Sequence, residues 1–386
     1  MARKTTKRER LLGWMREGDP ETVPVMMADG PYTAAAFLGK NPGEVSVAEV
    51  IRVAEDTGTH DIVCLHMPLP FDALPFIDEI EMRSAREVLA DGTVRETTHL
   101  CTPVGTMRKV WERPPGKPQR YREFFVKGKD DLPALRCFIE RTAEAFRSND
   151  AVRRRLVDTM HRRKDEVAGA LPTLVHMLPG AVELMDIFYI DQTSALYLVY
   201  DERALMEELM ELHWEMEQVW LECAAEVDVD FYQYAINGFE WLSPDLYERY
   251  MIPQARRINE FASAHGKLSW IHTCGKMRKI AATGAYERMR VDVVESLSAP
   301  PTGDITDLAG TRREIGRRIV TRGGVNVEFF YADDLAPLRE RAQAVLEATR
   351  GFRHMLGDTN NSMPPYRWET IEALVEVVRR TGKLLE

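Results

Sequence analysis

Cysteine is scarce in this chain: five in 386 residues, at 64, 101, 137, 223 and 274. The number is odd and the spacings form no disulfide framework, so a reduced, cytoplasmic protein is expected. Long apolar runs are also missing; none approaches the roughly 20 residues that a membrane-spanning helix needs. The basic opening (Arg3, Lys4, Lys7, Arg8, Arg10) lacks the apolar stretch of a signal peptide. No cationic surplus is present, the net charge being -10, which argues against a general nucleic-acid binder. Tryptophan and tyrosine are scattered among predicted helices instead of forming a stacking platform. There is no Walker loop, and Gly323-Gly324 is not a dinucleotide fingerprint. There is no Gly-x-Ser-x-Gly elbow and no His-Glu-x-x-His pair.

What is present is alternation. Short apolar runs at Val23–Met27, Asp61–His66, Thr173–Leu178, Phe231–Ile236, Leu268–Cys274, Val291–Ser296, Arg318–Arg322 and Phe352–Gly357 read as strands. Helical patterns separate most of them. Ser243-Pro244 opens one over Asp245–His265; others cover Asp201–Val227, Asp333–Thr349 and Trp368–Thr381. Continuous apolar strands alternating with amphipathic helices imply a parallel sheet covered by helices. Eight such units close a barrel, so the expected class is α/β, a (β/α)8 TIM barrel.

One stretch breaks the rhythm. Asp91-Gly92 sits between two alternating runs, a strong hairpin signal. Glu81–Lys127 therefore reads as a β insertion after the second strand, with a loop at Pro114, Pro115, Gly116 and Pro118; Asp130–Ala170 then reads as helical. Residues 1–386 are expected to form a single barrel domain, with 81–127 over the barrel mouth or serving as a dimer surface.

The chemistry concentrates at the predicted strand ends. His272 and Cys274 are two apart, so on a strand both point the same way. Imidazole and thiolate together suit zinc; the alternative is a small buried Cys274 beside a hydrogen-bonded His272. A zinc site needs further donors, and Glu295 and Asp358 end later strands, with loop capping as their alternative role. A buried unpaired carboxylate is costly, which points to a cationic partner. Asp29, His66, His176, Asn237 and Arg322 are further polar residues at predicted strand ends, candidates for binding substrate. Gly323-Gly324 is expected to let the backbone approach a ligand closely.

Several segments carry a resemblance, in order along nearly the whole chain. They are Thr6-Lys7-Arg8-Glu9-Arg10 with Val23-Pro24-Val25, Leu242-Ser243-Pro244 through Pro253, His272-Thr273-Cys274-Gly275, Gly323-Gly324-Val325-Asn326, and Leu356-Gly357-Asp358 with Pro364. Together these resemble the uroporphyrinogen decarboxylase superfamily. True decarboxylases of that group carry an Arg-rich segment after the first strand. Here the matching stretch, Met26-Met27-Ala28-Asp29-Gly30-Pro31-Tyr32, has none. The motifs are closer to the cobalamin-dependent methyltransferase branch. The resemblance implies zinc held by His272 and Cys274, with Glu295 in the fourth position and Asp358 where that branch has a cysteine. It also implies a corrinoid (methylcobalamin) protein as partner and a thiol or tetrahydrofolate as methyl acceptor, with Asn326 among the substrate-binding residues. The alternative is a metal-independent decarboxylase of a porphyrinogen or other small carboxylic acid. A third reading is a non-catalytic subunit that handles a corrinoid partner. A homodimer, with neither nucleic acid nor membrane as partner, completes the expectation.

Overall fold

A computed structural model of the chain describes residues 5–27, 30–117, 119–182, 184, 189–236, 242–273, 275–359 and 366–385. Its strands in chain order are β1 (Thr22–Val23), β2 (Val63–His66), β3 (Glu81–Val88), β4 (Val94–Thr102), β5 (Gly105–Arg113), β6 (Arg120–Glu123), β7 (Thr173–Met177), β8 (Phe231–Ala235), β9 (Leu268–His272), β10 (Val293–Ser296), β11 (Val320–Val325), β12 (His354–Asp358) and β13 (Lys383–Leu384). The chain divides into two compact units. One comprises Met1–Met67, Thr159–Met177 and Val227–Glu386; the other comprises Pro68–Asp158 and Leu178–Glu226. No described helix is long and apolar enough to cross a membrane.

The first unit is the barrel. Seven strands run parallel in the order β2, β7, β8, β9, β10, β11, β12. Val25 bridges Thr59 on one side and Leu356 on the other. The Met26 N–H donates to the Leu356 carbonyl at 2.9 Å and the His60 N–H to the Val25 carbonyl at 2.8 Å. Residues 24–26 therefore supply the eighth stave. Closure leaves no free sheet edge, the problem every open parallel sheet must solve.

Side chains fill the barrel in layers. Met26, Ile62, Leu174, Phe231, Trp270, Val293, Val320 and Met355, one per stave, form a single buried apolar cluster. The helix Lys7–Glu17 plugs this end, adding Leu11, Leu12, Trp14 and Met15 to the same cluster. Its start is fixed by a capping box: the Glu9 N–H donates to Thr6 Oγ1 at 3.2 Å and the Thr6 N–H to the Glu9 carboxylate at 2.9 Å. Such a cap stabilises a helix by about 1 kcal/mol. Arg8 then clamps Asp230 with Nε and Nη2 at 2.9 and 2.6 Å. Part of the basic opening is thus an anchor.

In the second unit, β3 to β6 form a four-stranded antiparallel sheet in sequence order. Asp91-Gly92 makes the predicted turn: the Gly92 N–H donates to the Leu89 carbonyl, and Gly92 takes a φ of 79° that favours glycine. The insertion is larger than one hairpin because Pro103-Val104 reverses the chain again. Leu100 on β4 and Met107 on β5 are buried, and helix Leu132–Ser148 contacts both strands.

Candidate active site at the strand ends

Side chains two residues apart on a strand share a face. Stepping two residues up each stave from the apolar layer therefore gives the next interior layer. From Leu174, Phe231, Trp270, Val293, Val320 and Met355 the step reaches His176, Gln233, His272, Glu295, Arg322 and Gly357. The barrel interior thus changes within one step from hydrocarbon to hydrogen-bonding and charged groups. This is the carboxyl end of the strands, where (β/α)8 enzymes carry their chemistry.

Arg322 is the centre of the layer. Its Nε donates to Glu295 Oε2 at 2.8 Å and its Nη1 to Asp358 Oδ1 at 2.8 Å, with a longer contact of 3.4 Å to the Met26 carbonyl. All three charged side chains are almost wholly removed from solvent. Glu295 Oε1 meets His272 Nδ1 in a very short contact, and the Tyr366 hydroxyl donates to Asp358 Oδ2 at 3.2 Å. Tyr366 also lines a cavity of about 540 Å3 with Tyr32, Lys40 and Asn41. On the other side, His176 Nδ1 lies 3.1 Å from Gln233 Oε1.

The electrostatics follow from that geometry. Burial alone would raise the Glu295 carboxyl, but the Arg322 guanidinium and the His272 ring outweigh it and hold the group at about 2. Burial likewise opposes the charge on Arg322, and Glu295 and Asp358 more than restore it. Burial lowers the His176 imidazole; His272 lowers it further, against the pull of Gln233 and Glu295, leaving a neutral ring at neutral pH. The cluster counts one fixed cation against two carboxylates, before any charge on His272.

Backbone features make room for it. A Cβ on Gly357 would fall 2.0 Å from the Met26 carbonyl oxygen and 3.3 Å from Arg322 Nη1, so only glycine fits there. Gly323 has φ 112°, and its Cβ would stand 2.2 Å from the Ser296 carbonyl oxygen. The Gly323-Gly324 pair was expected to admit a ligand; it serves close packing, against Ser296 and the Val345 side chain. Directly after Glu295, Ser296 and Leu297 hold φ of 87° and 54°. For non-glycine residues that costs on the order of 1–3 kcal/mol each, and such strain concentrates at functional sites.

Of the expected site residues, His176, His272, Glu295, Arg322 and Asp358 converge in this layer. His66 ends β2 at the same rim, in register with Val175. Asp29, Asn237 and Cys274 lie outside the described residues. Asn326 stands apart: its amide donates to the carbonyls of Ala299 and Pro300 at 3.0 and 3.3 Å and to Glu328, and its oxygen accepts from the Ala299 N–H. Expected to bind substrate, it braces that loop instead. Gln233 and Tyr366 were not foreseen. Gln233 had a legible signal, a polar residue two positions above Phe231 in an otherwise apolar run; Tyr366 had none.

Among the described residues no three His, Cys, Asp or Glu side chains are grouped so as to hold a metal ion. The expectation that Glu295 and Asp358 ligate zinc meets a specific obstacle. Both carboxylates already neutralise Arg322, and a dication drawn between them would face a fixed guanidinium within a few ångströms. His272 shows the pattern of a metal-binding imidazole in one respect, a carboxylate on its other ring nitrogen. In that pattern Glu295 would orient the imidazole through its second nitrogen and would not itself be a donor to an ion.

Comparison with known proteins agrees with the barrel. A methyltransferase from Methanosarcina mazei has the same fold: 14% identity and a TM-score of 0.62, over 98% of this chain and 99% of that one. A 3-keto-D-glucoside 4-epimerase from E. coli is similar at 11% identity with a TM-score of 0.36, over 61% of this chain and 94% of its own. No curated protein sequence matches the chain. The family model described as uroporphyrinogen decarboxylase (URO-D) matches residues 147–381, well over half of the chain. These residues carry all six strands from which the polar layer was traced, and the chain belongs to the uroporphyrinogen decarboxylase (URO-D) family.

Proposed function

We propose that this chain is a methyltransferase that takes a methyl group from a corrinoid carried by a partner protein and passes it to a thiol or to tetrahydrofolate. The observation that carries the reading is the relay His272–Glu295–Arg322–Asp358. A methyl acceptor must lose its proton as its lone pair forms the new bond to carbon, while the donor keeps the electrons of the bond that breaks. His272 is placed to take that proton. Glu295, kept anionic by Arg322, orients the ring and stabilises its protonated form, as a buried carboxylate does for a catalytic imidazole. A general base of this kind contributes about 10²–10⁴ in rate. Arg322 Nη2 has no hydrogen-bond partner among the described residues, a buried donor left for a polar group of the acceptor. The fold likeness to the Methanosarcina mazei methyltransferase supports the same reaction class.

For zinc, the chain retains His272 and Cys274, and a bound ion there would lower the pKa of a coordinated thiol. Glu295 and Asp358 do not fit as its other donors, so no step is drawn through an ion. The decarboxylase alternative lacks support in the charge balance, because a carboxylate substrate would meet two carboxylates and one guanidinium. The test is loss of methylcobalamin absorbance on adding thiols or tetrahydrofolate. Turnover that falls at least about a hundredfold in His272→Ala is expected. Decarboxylation of small acids without methyl transfer would overturn the reading, as would binding of a corrinoid protein without transfer.

A further inference from the structure

We propose that one face of the four-stranded sheet docks the corrinoid-carrying partner by an acidic patch on that protein, through the row Arg86–Glu96–Trp111–Tyr121 with Lys109 and Arg113 beside it. This rests on the methyl-transfer reading above. The strand register builds the row: Arg86 lies opposite Glu96, Glu96 opposite Trp111, and Trp111 opposite Tyr121, one residue from each strand. Directly opposed residues point to the same side of a sheet, so the four side chains share a face. The helix Leu132–Ser148 packs on β4 and β5, where Leu100 and Met107 of the same face are buried. The row is open to solvent, the Arg86 side chain being 65% exposed and Tyr121 41%.

The two sides of the sheet differ in how their charges are matched. On the other side, Glu112 pairs with Arg95, Arg120 and Arg122 at 2.8, 3.2 and 2.7 Å, and Glu123 with Arg108 at 2.6 Å. On the open face Glu96 accepts from Arg86 at 2.9 Å and from Trp111 Nε1 at 3.2 Å. Lys109 and Arg113 have no ion pair among the described residues. Lys109 Nζ lies 4.8 Å from the Phe125 ring centroid and 5.9 Å from that of Tyr121. Arg113 sits 5.5 Å from the Trp111 centroid and donates to Gln119 Oε1 at 3.3 Å. Three cations thus face one carboxylate, in a chain whose net charge is -10. Burial also lowers the Lys109 ammonium, a charge that an incoming carboxylate would stabilise.

Tryptophan, tyrosine and arginine are the side chains enriched at the energetic centres of protein interfaces. A row of them beside two unmatched cations fits a surface rich in Asp and Glu. Basic and aromatic faces also bind single-stranded nucleic acid. That ligand would bring a run of phosphates up to an acidic chain that offers it three cations here, so a protein carboxylate patch fits better.

The test uses the full-length enzyme, the methylated corrinoid protein that serves it as donor, and free methylcobalamin as the control donor. Arg113→Glu and Tyr121→Ala alter the docking face, and neither residue belongs to the His272–Glu295–Arg322–Asp358 relay. Each should raise Kd and KM for the corrinoid protein about tenfold or more. Turnover of free methylcobalamin should stay at the wild-type rate, which also shows that the variants fold. Wild-type binding should weaken as salt rises from about 0.05 to 0.5 M, and less steeply in Arg113→Glu. Unchanged affinity in both variants, or binding indifferent to salt, would overturn the docking face and leave the reaction standing. So would a wild type that uses free methylcobalamin but binds no corrinoid protein. Tight binding of a single-stranded oligonucleotide, lost in the same variants, would assign the face to nucleic acid instead. Absence of transfer from either donor would remove the functional reading, and this proposal with it.

Discussion

Replacing Arg322 with methionine isolates what the guanidinium does. The substitution keeps much of the hydrocarbon volume but leaves Glu295 and Asp358, both almost fully buried, without their cation. Removing one partner of a buried ion pair costs about 3–5 kcal/mol, because the remaining charge is uncompensated. For a chain of this size that corresponds to a drop in melting temperature of roughly 4–6 °C. The pH dependence carries the sharper signature. In wild type the Glu295 carboxyl is held at about 2, below its ordinary value, so its stabilisation is complete above that ordinary value and is lost as pH falls toward 2. In Arg322→Met burial is left to raise the Glu295 carboxyl with its strongest opposing charge gone, so the folded variant takes up a proton first and gains stability as pH falls. The gap between the two proteins should therefore be widest near about pH 8 and narrow toward about pH 5. Adding Glu295→Gln to the variant should recover part of the loss, since it removes one orphaned charge. Urea denaturation at the two pH values measures all of this. Equal stability of variant and wild type, or a gap that does not change with pH, would refute the account of the cluster.

Other consequences are equally specific. Gly357→Ala puts a methyl group against the Met26 carbonyl, a backbone atom that cannot swing away, and should destabilise by roughly 3 kcal/mol in thermal melts. His354 is buried against Thr321, and burial with the nearby Arg312 holds its imidazole at about 3. Stability should therefore decline as pH falls below about 6.5, and His354→Gln should flatten that slope in melts taken between about pH 6.5 and 4. Because Arg322 occupies Asp358, Asp358→Asn should leave any bound zinc unchanged by elemental analysis. His272→Ala should remove it.

How much was legible follows from what each signal requires. All eight barrel staves coincide with apolar runs read from the chain, although β11 continues three residues beyond Arg322 and β12 one beyond Gly357, because a strand buried on both faces must be apolar whatever surrounds it. The helices Arg203–Val227 and Trp368–Thr381 match their periodic stretches for the same reason. The insertion showed only its first turn; Pro103-Val104 lacks a glycine at a tight two-residue reversal and so carries no equivalent signal. The site was half visible. His272, Glu295 and Asp358 stand out as polar residues ending apolar runs, and that much pointed to one rim. What a linear reading did not contain was the register between strands. Glu295 opposes both His272 and Arg322, and that pairing turns a presumed metal ligand into the partner of a guanidinium. Arg322, read as the last residue of its strand, lies inside β11, which runs on to Val325, and it is fully buried.

The central claim, that the His272–Glu295–Arg322–Asp358 relay drives methyl transfer, is most directly tested by single-turnover kinetics with methylcobalamin and a series of thiols and tetrahydrofolate. The account predicts turnover by wild type, a loss of about 10²–10⁴ in His272→Ala, and a comparable loss in Glu295→Gln with the fold intact. Rates unaltered by either substitution, or no transfer from wild type to any acceptor, would contradict it.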